Sequence, residues 1–127
     1  MSAYDLSAFI AACGRAGEVI PVQGARITAR TDFSLLTDRD IRDFVANGGL
    51  EQPRFINKAP WKNNPDPLVL IEVDAYAFFS GVSYGYVAFL FVPKTSKWLI
   101  KSFKKNTEPD PRNLAMFAAL KKSGHVH

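Results

Sequence analysis

The chain has 127 residues, enough for one domain with a core of ordinary density and too few for two independent ones. Apolar residues make up 47% and charged residues 22%, which excludes an intrinsically disordered chain, and a net charge of +4 favours an anionic partner. A single cysteine excludes an internal disulfide and a multi-cysteine metal site, so a reducing compartment is expected. In chain order, Met1 to Asp5 offers no basic stretch followed by an apolar one, and no apolar run approaches a membrane span. These features predict a cytoplasmic protein with no membrane association. Leu6, Phe9, Ile10 and Cys13 fall at helical spacing, with Ser2 or Asp5 as N-cap and Gly14 and Gly17 near the exit, predicting a helix over about 4–16 with Cys13 in the core.

From Glu18 to Arg30, Val19, Ile20, Val22 and Ile27 are broken by Pro21 and Gly24, the pattern of an extended edge segment. Its Arg26 and Arg30, four apart, could reach an anion, and surface solvation is the plainer reading. Thr37 with Asp40 approximates a capping box before Ile41, Phe44 and Val45, and Gly48-Gly49 closes a second helix over about 38–47. Residues 53–67 are rich in Pro, Asn and Lys and read as a loop in which Arg54, Lys58 and Lys62 are interleaved with Phe55 and Trp61. Cations for phosphates beside a ring for stacking are what single-stranded nucleic acid requires, and a solvated loop anchored by Trp61 is the plainer alternative.

Three β-prone runs follow with short connections and predict an antiparallel meander: 68–76, 84–92 and 97–104. Alternation places Leu70, Glu72, Asp74 and Tyr76 on one face of the first run. It places Tyr84 and Tyr86 opposite Val87, Phe89 and Phe91 in the second. Asp110 as N-cap and Pro111 at the first helical position predict a last helix through Lys122, with Leu114, Phe117 and Leu120 or Met116 facing inward. The expected architecture is therefore a single α+β domain over 1–127, an antiparallel β-meander sheet with two N-terminal helices and one C-terminal helix packed on it.

No Gly-rich phosphate loop, nucleophile elbow or His-Glu metal motif occurs, and the only histidines are His125 and His127. Lys, Arg, Tyr, Glu and Asp remain, a set sufficient for RNA cleavage with no metal and no cofactor. Glu72 or Asp74 would accept the 2′-hydroxyl proton. Lys58 and Lys104 would stabilise the phosphate, and Tyr86 or Tyr84 would position the nucleotide or donate a proton. Arg54, Trp61, Lys62, Tyr84 and Lys101 complete the candidate RNA contacts. Cross-strand ion pairs of Glu72 and Asp74 with Lys101 or Lys104 would be the structural alternative.

Gly85 to Phe91 followed by Trp98 to Lys104 resembles the closing strands of the MqsR-type messenger-RNA interferase toxins, within the RelE-like group. A tyrosine opens the penultimate strand there and Ser-Phe-Lys ends the last one, as Ser102-Phe103-Lys104 does here. Ala16-Gly17-Glu18-Val19 and Phe55-Ile56-Asn57-Lys58 fall in the same order. The resemblance spans about 6–105 and implies roles for Lys58, Tyr86 and Lys104, whereas a family glutamine falls near Glu72. It further implies a metal-independent endoribonuclease acting on messenger RNA, free or ribosome-bound, with a cognate antitoxin. A second class fits the same chain: a small non-catalytic protein-binding module, such as a phage or plasmid inhibitor of a host enzyme, anchored by Trp61, Tyr76, Tyr84 and Trp98. A homo-oligomer through an uncovered edge strand is a third.

Overall fold

Asp5 opens the first helix: its carboxylate accepts the Ser7 N–H at 3.1 Å, so the first turn starts with a satisfied donor. That helix, α1 (Leu6–Cys13), buries Phe9, Ala12 and Cys13 and is shorter at both ends than its expected bounds. The computed structural model describes residues 1–113. After α1 come β1 (Val19–Pro21), α2 (Gln23–Phe33), α3 (Asp38–Ala46), β2 (Glu51–Pro60), β3 (Glu72–Ser80), β4 (Ser83–Val92) and β5 (Lys97–Lys105). The Thr37/Asp40 capping box forms as expected, each side chain accepting the other's backbone N–H.

The fold is α+β, with one five-stranded sheet in the order β1-β5-β4-β3-β2. Strands β2 to β5 pair antiparallel in sequence, so the meander is present. The sheet is nevertheless mixed, because β1 pairs parallel to β5 through Val19 with Trp98 and Pro21 with Ile100. One core joins the three helices to the sheet. Phe9, Cys13, Ala25, Ala29, Ile41 and Val45 meet Tyr76, Phe78, Val87, Phe89, Ile100 and Phe103. Phe9 stacks on Phe89 with centroids 3.9 Å apart, and Phe33 meets Phe103 edge-on at 5.3 Å. The face turned away from the helices carries a second cluster of Ile71, Val73, Ala75, Ala88 and Leu90, bordered by Trp61, Tyr86, Val92 and Leu99. We call it the distal face.

Four expectations are corrected. The segment 18–30 is not one extended edge: after β1 the chain enters α2, giving three helices before the meander instead of two. Residues 53–60 of the expected loop belong to β2, an edge strand whose side chains are almost all exposed, with a register shift between Phe55 and Asn57. The strand expected from 68 begins at Glu72, since Leu68 to Leu70 approach it as exposed coil. Arg26 is not simply solvated, for it holds Asp38 through two hydrogen bonds of 2.8 and 3.0 Å. Asp110 accepts the Arg112 N–H at 2.8 Å and the backbone at 111–113 is helical, as expected for the start of the last helix; the rest of the expected span, 114–122, lies outside the described residues.

α2 also has a task at the sheet margin. β1 covers only three residues of β5, and the rest of that edge would present free backbone groups. Thr28 Oγ1 donates to the Phe103 carbonyl at 2.7 Å, and Asp32 accepts the Lys105 N–H at 2.9 Å. Among the described residues, no helix is long and apolar enough to cross a membrane.

Candidate functional site

Register decides which candidate residues share a surface. On β3, Asp74, Tyr76 and Phe78 point to the helices, and the opposite parity, Val73, Ala75, Ala77 and Phe79, belongs to the distal face. Asp74 is fully buried and accepts the N–H groups of Ala3 at 2.8 Å and Tyr4 at 2.9 Å, while the Tyr4 hydroxyl donates to the Glu72 carbonyl at 2.7 Å. It is the anchor of the N-terminal segment, not an accessible base. Lys58 lies opposite Asp74 in the ladder and reaches Glu72 at 3.9 Å, so this pair occupies the helical side of the sheet. Neither expected ion pair, with Lys101 or with Lys104, forms.

A different set assembles on the distal face. Arg54, Ala77, Tyr86 and Lys104 stand opposite one another on β2, β3, β4 and β5, in one row across four strands. Lys104 Nζ lies 5.5 Å from the centre of the Tyr86 ring. One row further along, Phe79 faces Tyr84, and the Tyr84 hydroxyl accepts a 2.9 Å hydrogen bond from Arg54. With strands about 4.8 Å apart, the row spans about 14 Å between its terminal Cα atoms, with an alanine between Arg54 and Tyr86 as its floor. The helix-facing side of the same strands is tight by contrast. A Cβ on Gly85 would meet the Phe78 ring at 2.3 Å, so only glycine lets this aromatic lie across the strand.

Arg112, which carries no functional signal in the sequence, joins this face. Its guanidinium lies 4.0 Å from the centre of the Phe79 ring, donates to the Gly81 carbonyl at 2.7 Å and pairs with Asp110 at 2.9 Å. The hydrogen bond from Arg112 holds the Asp110 carboxyl below the usual carboxylate range. The segment after β5 is thereby tied to the β3–β4 hairpin, whose Gly81 takes positive φ at the first central position of a two-residue turn. Only the Asp110-Pro111 cap signal pointed to this segment.

The remaining candidates are dispersed. Lys101 is exposed at a register shift of β5, between Ile100 and Ser102. Trp61 packs at the far end of the distal face, beside Ile71 and Val92; along β4, the six residues from Tyr86 to Val92 are about 20 Å. Lys62 is exposed next to it. The structure therefore brings Arg54, Tyr84, Tyr86 and Lys104 together, sets Lys58 and Glu72 on the other side, and leaves Trp61, Lys62 and Lys101 apart. Of the aromatic anchors expected for a binding module, Tyr76 and Tyr84 are buried, and Trp98 is half-buried against Tyr4, Phe9, Phe89 and Phe91.

Charge is unevenly divided along the chain. Residues 1–49 carry five arginines, no lysine and six acids, whereas 50–113 carry nine basic residues and six acids. Burial pushes the Cys13 thiol up to about 12, with Arg42 opposing, which removes it from nucleophilic chemistry near neutrality. No protein-family model, curated protein or solved structure matches the chain.

Proposed function

We propose that the protein is a metal-independent endoribonuclease that cleaves messenger RNA, of the MqsR-type within the RelE-like toxins, with a cognate antitoxin as its protein partner. The observation that carries this reading is the distal-face row, where a tyrosine sits between two cations and the last strand closes with Ser102-Phe103-Lys104-Lys105. The excess of basic residues in the sheet half supports it, since RNA binding draws on cations that neutralise phosphates.

In this reading the Tyr86 hydroxyl, beside Lys104, takes the proton of the 2′-hydroxyl as it passes its own to solvent water, and the freed oxygen bonds to phosphorus. Lys104 and Arg54 stabilise the negative charge that builds on the phosphorane. The bond to the 5′-oxygen then breaks, and Tyr84 supplies that oxygen with a proton, leaving a 2′,3′-cyclic phosphate and a 5′-hydroxyl. Glu72 and Lys58 take no part here, because their side chains lie on the helical side of the sheet. The test is incubation with mixed-sequence RNA in excess EDTA, alone and in a translating extract. The expected result is cyclic-phosphate ends, with a rate lowered about 10²-fold or more by Tyr86→Phe. Fragments absent under both conditions, or a rate indifferent to that substitution, contradict the proposal.

A further inference from the structure

At the end of the sheet remote from Tyr86, the chain entering β3 exposes three consecutive apolar residues. Leu68 is 92% exposed and Leu70 74%, with Val69 between them. Coil exposure of this kind has no packing explanation, since β3 and its neighbours are already satisfied. Beside it lies a hollow of about 330 Å³ whose walls are chiefly Trp61, Pro65, Val69, Ile71, Val92 and Pro93. A second hollow of about 240 Å³ shares Ile71 and Pro93 with the first and is closed by Leu70 and Tyr4. Apolar surface therefore continues round the end of the sheet.

The rim is basic. Lys94 borders the first hollow and Lys62 follows Trp61; among the described residues neither has an ion-pair partner. Of the acids at this end, Asp66 also lines the first hollow and accepts the Leu68 N–H at 3.0 Å without a cation partner among the described residues, and Glu72 is paired with Lys58, so Lys62 and Lys94 leave a net positive charge. From these features we infer that the 61–71 loop and the β4–β5 turn form a docking surface for an acidic, amphipathic segment of a partner protein. Apolar side chains of that segment fill the Trp61 hollow and cover Leu68 and Leu70, and its carboxylates meet Lys62 and Lys94. The surface goes beyond the RNA chemistry and lies about 20 Å from it along β4.

The test is selection of random 16-residue peptides on the immobilised full chain, followed by titration of the selected peptides against the chain and two variants. The expected peptides combine Leu, Phe or Trp with Asp and Glu. Leu68→Ser/Leu70→Ser should weaken them at least tenfold, and Lys62→Glu/Lys94→Glu should weaken them while tightening basic counterparts. Both double variants alter exposed side chains, and unchanged circular dichroism confirms their fold. Selection yielding no binders, peptides without acidic bias, or peptides held equally by the leucine variant overturns the inference. So does a concentration-dependent dimer of the parent that the leucine variant abolishes, because the occupant would then be a second copy.

Discussion

Lys104 and Tyr86 face each other across β4 and β5, with the ammonium 5.5 Å from the ring centre, on the side of the sheet that the helices leave. Lys58, on the opposite side, is held by Glu72. On the proposed RNA-cleaving reading, the two lysines should differ in how they affect RNA affinity. Each single-strand phosphate contact contributes about −0.7 to the slope of log K against log salt. Lys104→Ala should flatten that slope by about 0.7 for a short single-stranded RNA, and Lys58→Ala should leave it unchanged. Titrations across a salt series read both.

Asp74 is the buried group on which the N-terminal segment depends. Asp74→Ala leaves the Ala3 and Tyr4 N–H groups without an acceptor, at about 1–3 kcal/mol for each such donor that stays buried, partly relieved by fraying. Urea denaturation should register a loss of about 2–4 kcal/mol, and amide exchange should accelerate first at Ala3 and Tyr4.

Gly85→Ala forces a methyl group against the Phe78 ring in a packed core. Overpacking of this kind costs about 1–3 kcal/mol. Gly85→Ala combined with Phe78→Leu should recover part of that loss, a coupling that a double-mutant cycle measures.

The Cys13 thiol gives a pH signature. Its folded pKa, about 12, lies above its ordinary value of 9.0, so its contribution to stability is complete below pH 9 and is lost as pH rises towards 12. Over that interval the slope is at most about 1.4 kcal/mol per pH unit. Cys13→Ala should show a flatter decline of unfolding free energy on the alkaline side. A thiol reagent at neutral pH should label the parent only in denaturant.

The elements most legible in the sequence were those whose local chemistry is self-contained. Asp5 and the Thr37/Asp40 box mark helix starts by side-chain hydrogen bonds that need no tertiary partner. The alternation in 84–92 is that of a strand packed differently on its two sides. α2 was hidden because it buries only Ala25 and Ala29, leaves Ile27 55% exposed, and follows Pro21 and Gly24 closely. Its Thr28 and Asp32 became meaningful only once the β5 edge was in place. β1 was hidden because a three-residue parallel pairing has no local signature, and β2 because an exposed edge strand bearing two prolines lacks alternation.

The site was half legible for a related reason. Alternation puts Tyr84 and Tyr86 on one face of a well-marked strand, whereas Lys104 joins them only through the pairing of β4 with β5, where a register shift at Lys101 breaks the period. The relation of Lys58 to them depends on pairing, and one residue of register on β2 moves a side chain to the other face. Its shift between Phe55 and Asn57 changes the correspondence with β3 just before Lys58. Arg112 stayed out of reach because its stacking on Phe79 joins positions 33 residues apart in the chain.

The most direct measurement is the single-turnover rate of RNA cleavage in excess EDTA, with Lys104→Ala and Lys58→Ala run beside the parent. The account predicts a loss of about 10²-fold or more for Lys104→Ala and less than about threefold for Lys58→Ala. Equal losses for the two lysines, or a larger one for Lys58→Ala, would contradict a site on the distal face.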